Sequence, residues 1–291
     1  MYTLRTTTES VEVWSTARLP FEPAGWLRDL RQDISKAVKG LRPRSMHILY
    51  GVYACESSGW FDLENVLFYN VGVGCFAALS RKGLRFEAGP SVPPAPNTIS
   101  SRMPHYYCYT QVPHGGSFEH WKVRSRIATW TDAVIPPLNS TTRASSVWHA
   151  VRSGPISEVA LPKEDTTRFG LSVTLAVPNS AARNLLPLVK PLLDGVIAAF
   201  HAHDGTTVEI LARRISDTVS QSPRSLIALL VARDRAVLGT RRLLWLWRDT
   251  VQWNPADDRC VAADIRVECR EIPVWTLSGD LFTVDPAVPH A

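Results

Sequence analysis

The sequence predicts an α+β protein made of two sheet-plus-helix halves, and three features point there. Segments of period-two or unbroken apolar character recur along the chain. Amphipathic segments with three- and four-residue apolar spacing lie between them. Two stretches rich in proline and serine divide the chain near its middle, giving an N-terminal half over 1–150 and a C-terminal half over 151–291. The halves pack side by side or as one compact unit, since 291 residues at 45% hydrophobic content suffice for either.

The first helix is expected over Gly25–Lys39, where Trp26, Leu27, Leu30, Ile34 and Val38 share a face and Gly40 supplies the stop. Strands follow at Ser45–Ala54, His105–Val112 and His120–Trp130. Between the first two, Gly89–Pro104 carries five prolines and reads as a loop. A second irregular region runs from Ile135 to Pro162. The C-terminal half opens with a strand at Gly170–Val177 and a helix at Pro191–His203, the proline suiting a first turn and Leu192, Leu193, Val196, Ile197 and Phe200 facing inward. Helices are expected at Thr207–Val219 and Ser222–Arg233, then strands at Leu243–Trp253 and Cys260–Cys269, then a loose tail from Asp285.

Composition narrows the function classes. Met1 to Trp14 lacks the apolar stretch of a secretory signal, and the longest apolar run, Leu226–Ala232, is far short of the ~20 residues that cross a bilayer. The expectation is a cytoplasmic protein with no membrane partner. Five cysteines with no CxxC pair suggest reduced thiols acting as small hydrophobes. Ten scattered tryptophans read as packing residues. A net charge of +5 gives polyanions a slight advantage as partners. Nucleotide P-loops, GxGxxG after a strand, HExxH and GxSxG are all missing from the sequence.

Three constellations could carry chemistry. Asp62-Leu63-Glu64-Asn65 follows a strand and a short polar loop. It offers hard oxygen ligands for Mg²⁺, or else Asp62 caps a helix with Glu64 in its positive first turn. Asp257-Asp258 leads into the last expected strand, as a metal-binding pair or as ordinary turn chemistry. Lys122, Arg124 and Arg126 recur at spacing two, which puts them on one face of a strand as a phosphate-binding stripe or a solvated outer face. Arg241, Arg242 and Arg248 form a similar basic group. Asp264 alternates against Val261, Ala263 and Ile265 and is expected to face solvent, and His201 and His203 are expected to close a helix.

Strand Gly170–Val177, the run Lys190-Pro191-Leu192-Leu193-Asp194-Gly195, and Asp257-Asp258 entering a strand together resemble the RusA-type Holliday junction resolvases. That family opens its helix with Asp-x-Asp-Asn ahead of the lysine, where this chain has Leu185, Leu186 and Pro187. The N-terminal half supplies a similar start, Asp62-Leu63-Glu64-Asn65-Val66-Leu67, and there Phe68 takes the lysine's place. The split suggests a homodimeric fold duplicated within one chain. The resemblance implies a Mg²⁺-dependent nuclease acting on structured DNA, with Asp62, Glu64, Asp257 and Asp258 as metal ligands and Lys190 near the scissile phosphate. The competing expectation is a nucleic-acid-binding or protein-interaction module with no catalysis.

Overall fold

A computed structural model describes residues 1–57, 59, 61–96, 102–139, 142–159, 168–178, 185–248 and 250–287. Parts of both expected irregular regions, and the last four residues of the expected loose tail, lie outside the described residues. The elements run β1 (Tyr2–Thr6), β2 (Val11–Ser15), α1 (Trp26–Gly40), β3 (His47–Cys55), β4 (Gly83–Ala88), β5 (His105–Pro113), β6 (Trp121–Ile135), α2 (Ala144–Ser153), β7 (Ile156–Val159), β8 (Phe169–Pro178) and α3 (Leu186–Ala199). They continue with β9 (Ala202–His203), α4 (Val208–Val219), α5 (Pro223–Val231), β10 (Thr240–Arg241), β11 (Leu244–Trp247), β12 (Thr250–Trp253), β13 (Cys260–Arg270) and β14 (Trp275–Pro286). The fold is α+β. No helix among the described residues is long and apolar enough to cross a membrane.

Ten strands form one mixed sheet in the order β1-β2-β5-β3-β4-β13-β8-β14-β6-β7. Both halves of the chain therefore contribute to a single sheet whose central seam is the antiparallel pair β4 and β13, and β6 of the N-terminal half crosses to lie beside β14 on the far side of it. On one side of this seam, β3 is parallel to β4 and antiparallel to β5, and β5 is antiparallel to β2. On the other, β8 is parallel to β13 and antiparallel to β14, and β14 is antiparallel to β6. Strand order and direction thus read the same from the centre outwards on both sides, as a two-fold axis through the seam requires. The middle pair of the seam is Arg85 opposite Asp264.

Period-two alternation explains which side of the sheet carries the helices. Val13, Leu49, Leu84, Phe86, Tyr107, Leu171, Val173, Ala263, Ile265 and Leu281 are buried in one cluster with α1 residues Leu30, Ile34 and Val38, α2 residues Val147, Trp148 and Val151, and most of α3. The intervening residues point to the opposite face and include Tyr50, Arg85, Glu87, Ser172, Asp264, Arg266 and Asp280.

That second face is not open at its centre, which corrects the expectation for Asp264. The alternation assigned its side correctly, but the residues leading into β6 fold across the sheet. Arg85 donates to the carbonyls of Gly116 and Ser117, and Glu87 accepts from the backbone N–H groups of Glu119 (2.9 Å) and His120 (2.7 Å). Asp264 is consequently buried at 2% exposure, between Arg85 (3.5 Å) and Arg266 (2.6 Å).

Other departures have local causes. α3 begins at Leu186 rather than at Pro191, because Pro187 starts the helix and Pro191 is carried inside it. It ends at Ala199, so His201 and His203 lie beyond it and both are buried. The apolar run at 243–253 is a two-stranded ribbon, β11 with β12, turned at Arg248 with φ 53°. α2 lies in the region read as irregular, where serines on either side of Trp148 obscure its apolar stripe. Cys269 is exposed rather than packed, while Cys75 and Cys260 are buried and Cys55 and Cys108 are partly so; all five are free thiols.

Arg152 on α2 ties the helical layer together. At 2% exposure it donates to the carbonyls of Leu229 (3.2 Å), Ala199 (2.8 Å) and Ala232, ending α3 and α5 on one guanidinium. Each buried carbonyl left without a donor costs about 1–3 kcal/mol. Arg152→Met is therefore expected to cost roughly 3 kcal/mol or more in urea unfolding. A change below about 0.5 kcal/mol, the usual range for surface substitutions, would show that these carbonyls find other donors.

Candidate metal centre

Three stretches far apart in sequence meet at one point. The first leaves β3 and turns into a π-helical segment, Asn65–Tyr69, bringing Asp62 and Glu64 inward. The second is the first half of α3, with Lys190 and, one turn on, Asp194. The third is a 3₁₀ turn, Asp257–Arg259, just before β13, entered through Ala256 in the left-handed region at φ 57°. His201 helps hold this last turn, its Nε2 lying 3.1 Å from the Pro255 carbonyl and its Nδ1 3.2 Å from that of Gly239. Burial is the main cause that brings the His201 pKa down to about 3, which keeps the ring neutral.

The Lys190 ammonium lies at the meeting point. Its Nζ is 2.9 Å from Asp62 Oδ2, 3.2 Å from Glu64 Oε1, 3.3 Å from Asp194 Oδ1 and 3.2 Å from Asp257 Oδ2. Ligand oxygens of Asp62, Glu64 and Asp257 all lie within 4.8 Å of one another, close enough to share one cation. The Tyr69 hydroxyl accepts from the Lys190 backbone N–H (3.1 Å) and donates to the Leu186 carbonyl (3.0 Å), fixing the π-helical segment against α3.

The capping reading of Asp62 is met by one of its oxygens, and the other is turned to the ammonium. Oδ1 accepts from the Asn65 backbone N–H at 3.1 Å, as a helix cap does, while Oδ2 faces Lys190. Asp257 is similarly split: Oδ1 accepts from the Asp258 N–H (3.2 Å), the turn contact, and Oδ2 meets the ammonium.

Electrostatics make the site unusual. Four carboxylates surround a single ammonium in a largely dry setting, so they cannot all be ionised cheaply. Burial, then the Asp62 charge, drives Glu64 well above the usual carboxylate range. Burial also raises Asp194, to about 7, against the opposing pull of Lys190. Asp257 is raised by burial and by Asp62. Asp62 is lowered: burial opposes its charge, but hydrogen bonding with Glu64 and the Lys190 ammonium outweigh it. Burial disfavours the ammonium itself, yet Glu64, Asp194, Asp62 and Asp257 together hold it above its ordinary value, so it stays protonated. The oxygen donors and the excess negative charge suit a hard divalent cation such as Mg²⁺.

Of the residues singled out in the sequence, Asp62, Glu64, Lys190 and Asp257 come together. Asp258 does not join them. It lines a cavity of about 360 Å³ on the other side of the turn, with Phe61, Leu63, Trp121 and Arg168. Lys122, Arg124 and Arg126 are exposed on β6, but acids of β14 answer them: Arg124 lies 3.8 Å from Asp285 and Arg126 lies 3.0 Å from Asp280, and Lys122 is opposite Asp285 in register. Asp194 stood in the quoted lysine motif without a role, although its i+4 spacing from Lys190 places both on one helical face. Tyr69 carried no sequence signal beyond an apolar run.

No protein-family model matches the chain, and no curated protein matches it.

Two expectations follow. Lys190→Met leaves one buried and three half-buried carboxylates without their cation and should cost roughly 3 kcal/mol at pH 8, the low end of the cost of breaking a buried pair. A millimolar divalent cation should recover part of that loss. Equal losses with and without the cation in paired urea titrations would mean that the acids cannot hold one.

The second concerns pH. The Asp194 pKa is raised on folding from near 3.9 to about 7, so its contribution is fully present below pH 4 and disappears as pH climbs to 7. Wild type should lose stability over this window, by at most about 1.4 kcal/mol per pH unit for each proton retained. Asp194→Asn should flatten the profile and be the more stable protein at pH 8. An unchanged slope in the variant would remove Asp194 as its source.

Proposed function

We propose that this chain is a Mg²⁺-dependent nuclease acting on structured DNA. The observation that supports the reading is the convergence of Asp62, Glu64 and Asp257 around the Lys190 ammonium, from three segments whose motifs resemble the RusA-type resolvases. In this reading Asp62, Glu64 and Asp257 hold the cation. When bound, the cation makes water more acidic and offsets charge on a phosphate undergoing displacement.

The roles of the side chains follow from their protonation. Lys190 keeps its proton, so it serves as a fixed positive charge beside a phosphate oxygen and not as a base. Hydrolysis forms one P–O bond to water and breaks one ester P–O bond, and the proton released by water needs an acceptor. Asp194, its pKa raised by burial to about 7, can take it at neutral pH, and the departing ester oxygen takes up a proton from solvent water.

The adjoining cavity offers room for the strand on either side of the reacting phosphate. Two of its aromatic rings carry a guanidinium: Arg168 lies over Trp121 at 5.4 Å and Arg18 over Phe61 at 4.8 Å. Arginine held flat in this way is well placed for phosphate oxygens. Five free thiols agree with a reducing, cytoplasmic setting, which belongs to the same proposal.

A second reading is favoured by one observation: Lys190 already meets all four acids. The cluster would then be a structural ion-pair hub, and the protein a non-catalytic binding or interaction module.

Thermal unfolding combined with a cleavage assay on branched and linear DNA separates the two readings. For the nuclease, millimolar Mg²⁺ should raise the wild-type melting temperature and leave that of Asp257→Asn unchanged. Glu64→Gln and Asp257→Asn should each reduce cleavage by about 10²-fold or more. A wild type that gains no stability from Mg²⁺ and cuts neither substrate would leave the structural hub as the account of the site.

A further inference from the structure

A second concave surface, whose lining shares no residue with the acid cluster, lies between α1 and the loop that follows the π-helical segment. Its cavity of about 1050 Å³ has Arg28, Arg31, Lys36 and Lys39 of α1 on one side and Gly72-Val73-Gly74 on the other. Spacings of three, four and four put Arg28, Arg31, Ser35 and Lys39 on one helical face. The acids of that helix are turned elsewhere: Asp33 accepts from the Tyr2 hydroxyl of β1 (2.5 Å), and the Asp29 charge acts on the same hydroxyl. None of the four cations has a carboxylate partner among the described residues, and Glu22 is the one acid among the described residues of the lining. The stripe on β6 differs, since acids of β14 answer Arg124 and Arg126. Like charges gathered on one helical face repel and give the fold nothing, so this groove is set up for an anion.

The groove is held in shape by its own bonds. Arg31 spans it at the base, its Nε donating to the Val71 carbonyl (3.2 Å) and its Nη1 to that of Phe21 (3.4 Å), while its Nη2 lies 3.6 Å from where a Cβ on Gly72 would stand. The guanidinium is therefore fixed before any ligand arrives. Gly72 has φ 113°, a conformation that needs glycine, and it donates to the Phe68 carbonyl (2.8 Å) and accepts from the Cys75 thiol (3.1 Å). Gly74 has no such backbone requirement. A Cβ on it would meet nothing within 4 Å, so the missing side chain leaves the groove open at that point.

We propose that this groove binds a short polyphosphate chain, either inorganic or carried by a nucleotide. At 1.5 Å per residue, the cations from Arg28 to Lys39 span about 16 Å, a length that suits several phosphates in a row better than a single small ion. Guanidinium forks match pairs of phosphate oxygens, and the two lysines add point charges further along the same wall. A polyphosphate concentrates its charge more densely than an acidic peptide, as four cations facing one groove require. The proposal stands whether or not the acid cluster holds a cation.

The test is calorimetric titration of the full chain with sodium triphosphate, ATP, sulfate and a triglutamate peptide, in EDTA so that no divalent cation takes part. One equivalent of triphosphate is expected to bind, about tenfold or more tighter than sulfate or the peptide. ATP binding as tightly as triphosphate assigns the site to nucleotides, and triphosphate binding without ATP assigns it to inorganic chains. Lys39→Gln and Gly74→Glu should each weaken triphosphate by about tenfold or more, the second by placing a carboxylate in open space with the melting temperature unchanged. The double variant Arg124→Gln, Arg126→Gln, on the stripe already answered by acids, should bind as wild type does. Sulfate matching triphosphate, or triphosphate binding that survives Gly74→Glu, means an adventitious ion only and overturns the proposal. A peptide that binds as well as triphosphate also overturns it.

Discussion

The ammonium of Lys190 is the contact on which the arrangement of this protein turns. It lies within 3.3 Å of carboxylate oxygens from three segments far apart in the sequence. Removing water from so many acids is unfavourable unless a positive charge stands among them. The sheet brings the segments near one another, and the ion cluster sets their final approach. Tyr69 and His201 support it from outside, the first through the backbone of α3 and the second through the Pro255 carbonyl. The chemistry proposed for the site and its contribution to the fold therefore draw on the same charges.

Much of this was legible from residue pattern alone. β3, β5, β8, β13 and α1 matched their expected spans to within a few residues, since each carries a continuous, period-two or three-and-four apolar pattern. β14 was not foreseen, because Gly279 and Asp280 interrupt its pattern. The glycine has a packing reason: a Cβ there would come within 2.3 Å of the Ser172 carbonyl oxygen and 2.5 Å of the Trp130 ring. α2 escaped notice for a related reason, Val147, Trp148 and Val151 being its only large apolar residues among serines and alanines.

The candidate site shows where such reading ends. Short motifs picked out Asp62, Glu64, Lys190 and Asp257, but spacing within a motif cannot say which of two adjacent acids turns inward. Asp257 and Asp258 are indistinguishable in sequence, and the left-handed Ala256 decides between them by setting the direction of the following turn. Asp264 makes the complementary point. Alternation fixes the side of a sheet that a residue occupies, while its burial depends on a distant segment, 116–120, crossing over that side.

Placing both sides of the seam on one polypeptide has a consequence for how the site survives dilution. A centre shared between separate subunits falls apart as concentration drops below the dissociation constant of the pair. Here Asp62 and Glu64 are covalently tethered to Lys190 and Asp257, so their encounter is intramolecular at any concentration. The same tether lifts the requirement that both sides be chemically identical. In a homodimer every substitution appears twice, whereas in this chain a residue on one side of the seam can change and leave the other side untouched.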